Sequence, residues 1–546
     1  MKAVRNVLEY LEGNGVKYIF GIPAGSVNAF YDQLLDFPEM TPIVTKHEGA
    51  ASYMAASYAK YSRELSVCIG SSGPGGTNLL TGAANAMREH LPILFLTGAV
   101  PVSTMGLNAS QELDAQSLFQ SITKYSVTVL KPENLLAEVA KATQIALSGV
   151  PGPVHVAMPI DVQMGNIEQL PIPKLEIERH APISAEQVKR VADRLMQKKK
   201  GFIFAGQGVR NSVAQVVELA ELLDWPIVAT PVAKGLFRGD HPLFSGVFGF
   251  AGNEQTSLLV NEGDAETLMV LGSSLGETAT SNYNPNLAKD RFVIQLDFDD
   301  TVFGRKYPVN IPVHGDMTDS LSQIIDELKD RGLTRPQTVK LVERDQGTEQ
   351  DAEYNTKNVL LKLQELLPAS TRYTIDIGEF MAYVIHDMDV LEEDTFDINV
   401  HFGAMGSGLS AAIGSTLAEP DRPVVALTGD GCFFMHGMEI LTAKEYNLPV
   451  LFVVMNNARL GMVYQGHTLQ YKRSHPSFEQ EPVNIAAMAE ALNIPNFRVD
   501  DLDDLSQNML DALTGLNGPA ILEVALVDNN IPPMGDRVKF LSSFGK

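Results

Sequence analysis

Two short segments of the chain carry residue types suited to holding a divalent cation. PVVALTGDG (423–431) and PVLFVVMNN (449–457) each run as an apolar strand into a polar turn. Asp430 and Asn457 emerge at the two carboxyl ends, the edge where open parallel sheets bind ligands. Gly429 and Gly431 let the backbone approach an anion, and a helix following Asp430 would aim its amide donors at the same place. One carboxylate, one amide oxygen, a backbone carbonyl and diphosphate oxygens make a set suited to Mg²⁺, a hard cation that takes oxygen ligands. Asp-Gly and Asn-Asn are also ordinary turn pairs, so either dipeptide alone reads equally as a loop.

The elements that must position these residues alternate in a regular way. VKYIF, LSVCIG and PILFLTG are short β-branched or apolar runs, separated by longer amphipathic stretches such as SVNAFYDQLL and EGAASYMAASYAK. Strands and helices in turn predict βαβ units, with a parallel sheet covered on both faces. The rhythm breaks in the Pro-spaced stretch 164–182, resumes with GFIFAG, WPIVAT, ETLMVLGSS and RFVIQLDFD, and fails again in the charged stretch 344–353. A third series follows through YTIDIG and MGSGLSAAIGSTLA, with a rhythm like the first. The expectation is an α/β chain of three doubly wound parallel-sheet domains, at 1–165, 184–335 and 355–546.

Composition narrows the partners. The 546 residues carry 42 Lys+Arg against 66 Asp+Glu, a formal charge of −24. With that charge and no acidic tail or basic stripe, the sequence argues against nucleic acid or an anionic membrane as the main partner, because phosphate binding needs clustered Lys and Arg. The apolar runs are far shorter than a membrane span, and Glu9 and Glu12 interrupt the start where a signal peptide is apolar. A cytoplasmic protein is expected. Cys68 and Cys432 lie in apolar, strand-like contexts that suit reduced core thiols.

GDG followed by NN resembles the metal-diphosphate signature of thiamine diphosphate enzymes. HFGAMGSGLSAAIG (401–414), NNARLGMVYQ (456–465), FGIPAGS (20–26), KHEGAASYMA (46–55) and GSSGPGGTN (70–78) extend the likeness to the acetolactate synthase and pyruvate oxidase group. The pattern is nearest to acetolactate synthase catalytic (large) subunits. The resemblance implies a pyrimidine-binding first domain, a central domain and a diphosphate-binding third domain, with two subunits completing each site in a homodimer or homotetramer. It implies thiamine diphosphate with Mg²⁺ on Asp430, Asn457 and the Arg459 carbonyl. It places Gly25, Gly378, Glu379, Gly403, Gly429, Gly431, Gly461 and Met462 at the cofactor.

By the same resemblance Glu48 hydrogen-bonds a pyrimidine ring nitrogen and shifts the exocyclic amine to its imino tautomer, the internal base of the reaction. Its apolar surroundings predict a raised pKa. At the start of a helix a carboxylate also serves the helix dipole, a plainer reading of KHEGAA alone. Met405 corresponds to the apolar wedge that bends the cofactor, with the Gly403 carbonyl and Met405 amide on the pyrimidine edge. Gln111 in SQELD and Lys124 in SITKYS match the acetolactate synthase pattern on the substrate side. His90 in MREHLP is closer to pyruvate oxidases and decarboxylases, and also suits a helix C-terminus.

Several positions depart from the family pattern. Ser110 replaces a Phe, Gly466 replaces a Trp, and LGSSLGET (271–278) lacks both arginines of the family's GxRFDDR, one for FAD and one for the acceptor carboxylate. A missing Arg removes a bidentate clamp that no other side chain reproduces. AGQGVR (205–210) and GFAGN (249–253) echo dinucleotide loops without the full fingerprint. FAD is therefore not expected. The implied reaction is decarboxylation of a 2-oxo acid, pyruvate by default, with carboligation to a second carbonyl compound. The alternatives are a pyruvate oxidase-like enzyme with FAD and a decarboxylase releasing an aldehyde. The sequence does not identify a regulatory subunit.

Overall fold

A computed structural model describes residues 1–178, 182–197, 199–336, 353–535 and 542–543. Residues 179–181 of the expected first linker, nearly all of the charged stretch 344–353 and most of the last eleven positions lie outside the described residues. Three six-stranded sheets are present among those described. The first contains β1 (Tyr18–Gly21), β2 (Thr41–Val44), β3 (Ser66–Gly70), β4 (Ile93–Ala99), β5 (Tyr125–Thr128) and β6 (Val154–Pro159). The second contains β7 (Gly201–Ala205), β8 (Ile227–Ala229), β9 (Phe244–Val247), β10 (Thr267–Leu271), β11 (Phe292–Asp297) and β12 (Ile311–His314). The third contains β13 (Arg372–Ile375), β14 (Phe396–Ile398), β15 (Val424–Gly429), β16 (Val450–Asn456), β17 (Asn496–Val499) and β18 (Ala520–Ala525).

All strand pairings are parallel. Parallel neighbours need long crossovers, which puts helices on both faces and buries inner strands such as β3, β4, β7 and β16 along their whole length. The expected fold class is the observed one. The first and third sheets share one order, β2-β1-β3-β4-β6-β5 and β14-β13-β15-β16-β18-β17. The middle sheet, β12-β11-β10-β7-β8-β9, has the order of dinucleotide-binding folds. Sheet growth reverses direction between β1 and β3, β7 and β10, and β13 and β15. A crevice is expected at the carboxyl end of each such pair.

The first and third sheets share a core. The helices Glu48–Ser62 and Ser407–Ala418 approach so closely that a Cβ on Gly414 would strike the Met54 carbonyl. Ala50, Ala51, Ala55 and Ala412 make room for this contact. Lys60 crosses it to Asp397 at 2.6 Å, and the buried Arg372 lies 3.5 Å above the Tyr61 ring. No helix among the described residues is long and apolar enough to cross a membrane. Cys68 and Cys432 are both buried and free.

Candidate active site

The carboxyl ends of β13, β15 and β16 open onto a cavity of about 240 Å³. Gly378 and Glu379 follow β13, Gly403 and Met405 follow β14, Gly429 to Gly431 close β15, and Asn457 to Met462 follow β16. All of these positions except Ala458, which the sequence did not single out, line the cavity. The crevice expected at the third sheet therefore gathers most of the residues chosen from sequence.

Asp430 begins the helix Asp430–His436, and its Oδ1 accepts from the Gly431 amide at 2.9 Å. Burial pushes its carboxyl pKa up, while the amides of Gly431 and Ala458 pull it down. Asn457 Nδ2 donates to Glu379 Oε1 at 2.5 Å, and Asn457 Oδ1 accepts from the Arg459 amide at 3.2 Å. The Arg459 carbonyl accepts from Gly461 at 2.9 Å, and its second lone pair is available to another partner. The Arg459 guanidinium turns toward the C-terminal segment instead, bonding the Asp528 carbonyl and, at 3.2 Å, Asn529 Oδ1. It also stands 3.8 Å from Glu379 Oε1.

Glu379 opens the helix Glu379–Asp387 and is 7% exposed. Burial raises it to about 7 against the pull of Arg459 and Asn457. Its Oε2 is buried without a hydrogen-bond partner, so the cavity presents an acid oxygen still able to engage a ligand. Among the described residues no group of three or more His, Cys, Asp or Glu is placed to hold a metal. A cation between Asp430 and Asn457 therefore depends on oxygens brought by a bound anion, which fits a metal–diphosphate pair.

Sequence reasoning missed Asp376, in YTIDIG. It is completely buried, and burial raises it to about 6. It accepts from the amides of Gly408 and Leu409 at 2.8 and 3.1 Å and from Thr428 Oγ1 at 2.8 Å. These bonds satisfy orphan amides in the first turn of the helix behind Met405 and join it to β15. An acid at the end of an apolar strand was the available signal. Met405 is half-buried, and its Cε lies 3.3 Å from where a Cβ on Gly431 would stand.

Glu48, Gly25 and Gln111 belong to a different place, the loops at the carboxyl ends of the first sheet's strands. Glu48 starts its helix after β2, and its Oε2 accepts from Asn78 Nδ2 at 2.9 Å. Gly25 follows β1 and is exposed. Gln111 adopts a left-handed φ of 62°, and its carbonyl accepts from Ser72 Oγ at 2.7 Å. Glu48 is half-buried and does not line the Asp430 cavity. Lys124 turns inward, donating to the carbonyls of Ile145 and Ser148, the latter at 2.7 Å, so it serves the local structure. His90 joins neither group. It packs against Phe298, ring centroids 5.5 Å apart, and lines a cavity of about 500 Å³ at the β7–β10 crevice of the middle sheet.

Comparison with known proteins accounts for this arrangement. The model of the N-terminal TPP binding domain of thiamine pyrophosphate enzymes matches residues 1–118, that of the central domain 188–324, and that of the C-terminal TPP binding domain 376–524. A probable acetolactate synthase large subunit of Methanocaldococcus jannaschii is 33% identical, over 98% of this chain and 93% of its own length. The chain belongs to the thiamine pyrophosphate enzyme family. The acetolactate synthase isozyme 1 large subunit of Escherichia coli is 30% identical over 97% of this chain and 94% of its own length. This thiamine pyrophosphate enzyme is a carboligase of the acetolactate synthase kind, and its two TPP-binding domains carry Glu48 and Asp430 respectively.

Proposed function

We propose that the enzyme decarboxylates pyruvate and joins the remaining two-carbon unit to a second carbonyl compound, using thiamine diphosphate with Mg²⁺. The observation that carries the reading is the meeting of Asp430 and Asn457 in one cavity beside Met405. Asp430, Asn457 Oδ1 and the Arg459 carbonyl would hold the cation together with the diphosphate. Gly378, Glu379, Gly429, Gly431, Gly461 and Met462 would enclose that diphosphate end, and Gly403 and Met405 the pyrimidine end. When bound, the cofactor supplies the electron sink that a 2-oxo acid needs in order to lose carbon dioxide.

Glu48 has the task of exchanging a proton with the pyrimidine, and Gln111 stands among the same loops on the substrate side. Glu48 does not line the Asp430 cavity of its own chain. We read each site as completed by two copies, Glu48 from one and Asp430 from the other, in a homodimer or a tetramer built from it. Free, buried Cys68 and Cys432 suit a cytoplasmic enzyme.

Flavin has no part in this reading. Gly206 and Gly208 pass against Gly272 at the middle crevice as a nucleotide loop would. The loop after β10 offers Ser273, Ser274 and Glu277 without an arginine, and the cavity is lined both by Asp297, Asp299 and Asp316 and by Lys60, Arg63, Arg88 and Arg210. The missing arginine on that loop is the observation behind a reading without FAD. The dinucleotide order of the middle sheet is the observation that favours the rival, an FAD-dependent oxidase.

Complementation tests the shared site. Glu48→Gln and Asp430→Ala chains, each inactive alone, are co-expressed and the mixed assembly is purified. A mixed dimer holds one doubly defective site and one intact site, so the purified mixed dimer should carry about half of full activity and the unsorted random mixture about a quarter. No recovery in a verified mixed dimer would place Glu48 and Asp430 in the same chain's site and reject the reading.

A further inference from the structure

The backbone just ahead of Glu48 is held by a carboxylate from another domain. Glu439 ends the turn Gly437–Glu439, directly after the helix Asp430–His436, and is 1% exposed. Its Oε1 accepts from the amides of both Lys46 and His47 at 3.0 Å, and its Oε2 accepts from Thr442 Oγ1 at 2.7 Å. These two amides lie beyond the end of β2 and before the first turn of the Glu48 helix. Neither secondary structure supplies them an acceptor, and the buried Glu439 carboxylate does.

Neighbouring residues strengthen the same junction. The Tyr446 hydroxyl accepts from the Val44 amide at 2.8 Å and donates to the Pro42 carbonyl at 2.6 Å. Lys46 Nζ pairs with Glu445 at 2.6 Å. His47 caps the helix through Nδ1, which accepts from Gly49 at 3.0 Å, and its ring lies 5.5 Å from that of His436. Glu439 is the charged, buried member of this set, and charge-assisted bonds to amides are the strong ones.

We propose that Glu439 is a positioning residue for Glu48, holding the Lys46–His47 backbone so that the Glu48 carboxyl starts its helix in the reactive place. The inference rests on the reading of Glu48 as the proton partner of the cofactor. Small displacements of a reacting group are costly, with about 1 Å enough for a hundredfold loss of rate. Because Asp430 opens the helix Asp430–His436 and Glu439 ends the turn that follows it, one stretch of the third domain both borders the Asp430 cavity and sets Glu48.

The test compares Glu439→Ala and Glu439→Gln. In Gln the side-chain carbonyl still accepts from both amides, whereas Ala removes the acceptor. In cofactor-free protein, Glu439→Ala should raise amide hydrogen exchange at Lys46 and His47 by about tenfold or more, with Glu439→Gln close to wild type. In the loaded enzyme, Glu439→Ala should slow hydrogen exchange at the thiazolium carbon by ~10- to 100-fold while cofactor affinity stays near wild type. Unchanged amide exchange, or a loss of cofactor affinity as large as the loss of carbon exchange, would overturn the proposal. If the Ala variant does not fold, Glu439→Asp, which keeps the charge but withdraws the oxygens by one methylene, must show the same separation. A Glu48→Gln control keeps the two readings apart. Wild-type carbon exchange there rejects the role of Glu48, whereas slow exchange there with normal exchange in Glu439→Ala rejects only the role of Glu439.

Discussion

Asn457 Nδ2 donates to Glu379 Oε1 at 2.5 Å, which leaves the amide oxygen as the end that would face a cation. The donor is committed to the carboxylate, so Oδ1 is left as the ligand atom. Glu379→Ala frees the amide to rotate. The Mg²⁺ concentration needed for cofactor binding should rise by ~10- to 100-fold, the usual cost of losing a group that orients a ligand. A Mg²⁺ titration of cofactor binding measures it, and an unchanged midpoint would show that Glu379 does not orient Asn457.

Glu48→Gln and Asp430→Ala should fail in different ways. The first should retain cofactor binding and lose at least about a hundredfold in turnover, the scale of acid–base assistance. The second should lose Mg²⁺-dependent binding itself. Calorimetric cofactor titration beside steady-state rates separates them, and full activity in both would refute the assignment.

The purified protein should be colourless. Supplied with pyruvate, thiamine diphosphate and Mg²⁺, it should form acetolactate, identified by mass. A flavin absorption band with acetyl phosphate or peroxide as product would move it to the oxidase branch. Free aldehyde would favour simple decarboxylation.

His155 provides a pH prediction away from the cavity. It is completely buried, stacked on Phe119 with centroids 4.0 Å apart and bonded to Thr97 and Ser126. Burial depresses it to about 3 from 6.5. Its stabilising contribution is therefore present above pH 6.5 and is lost as pH falls toward 3, because the unfolded chain takes the proton first. Relative to His155→Gln, wild type should lose about 1.4 kcal/mol per pH unit across that window. Acid-unfolding curves of the two proteins check the slope, and parallel curves would contradict a neutral buried imidazole.

The strands most legible in the sequence are the inner ones. β3, β4, β7, β10, β15 and β16 are largely continuous apolar runs, because helices cover both their faces. The edge strands β2, β5, β9, β12, β14 and β17 are short. Several are partly exposed, as in β5, in which every residue is half-buried, and β12, which alternates buried and exposed. Their pattern is too weak to separate from loops.

By itself the sequence determined the alternation of the inner strands with helices, the three α/β domains, and Asp430 and Asn457 as polar residues at strand ends. Those follow from local patterns and residue types, whereas Glu48 and Met405 stood out only through the likeness to thiamine diphosphate enzymes. Only the tertiary structure decided that Glu48 does not line the Asp430 cavity, that His90 faces the middle sheet, and that Lys124 donates to local carbonyls. The same holds for Asp376 bracing the helix behind Met405 and for Glu439 reaching the amides before Glu48. These are contacts between segments far apart in the chain, and spacing along a sequence carries no information about which buried carboxylate meets which orphan amide.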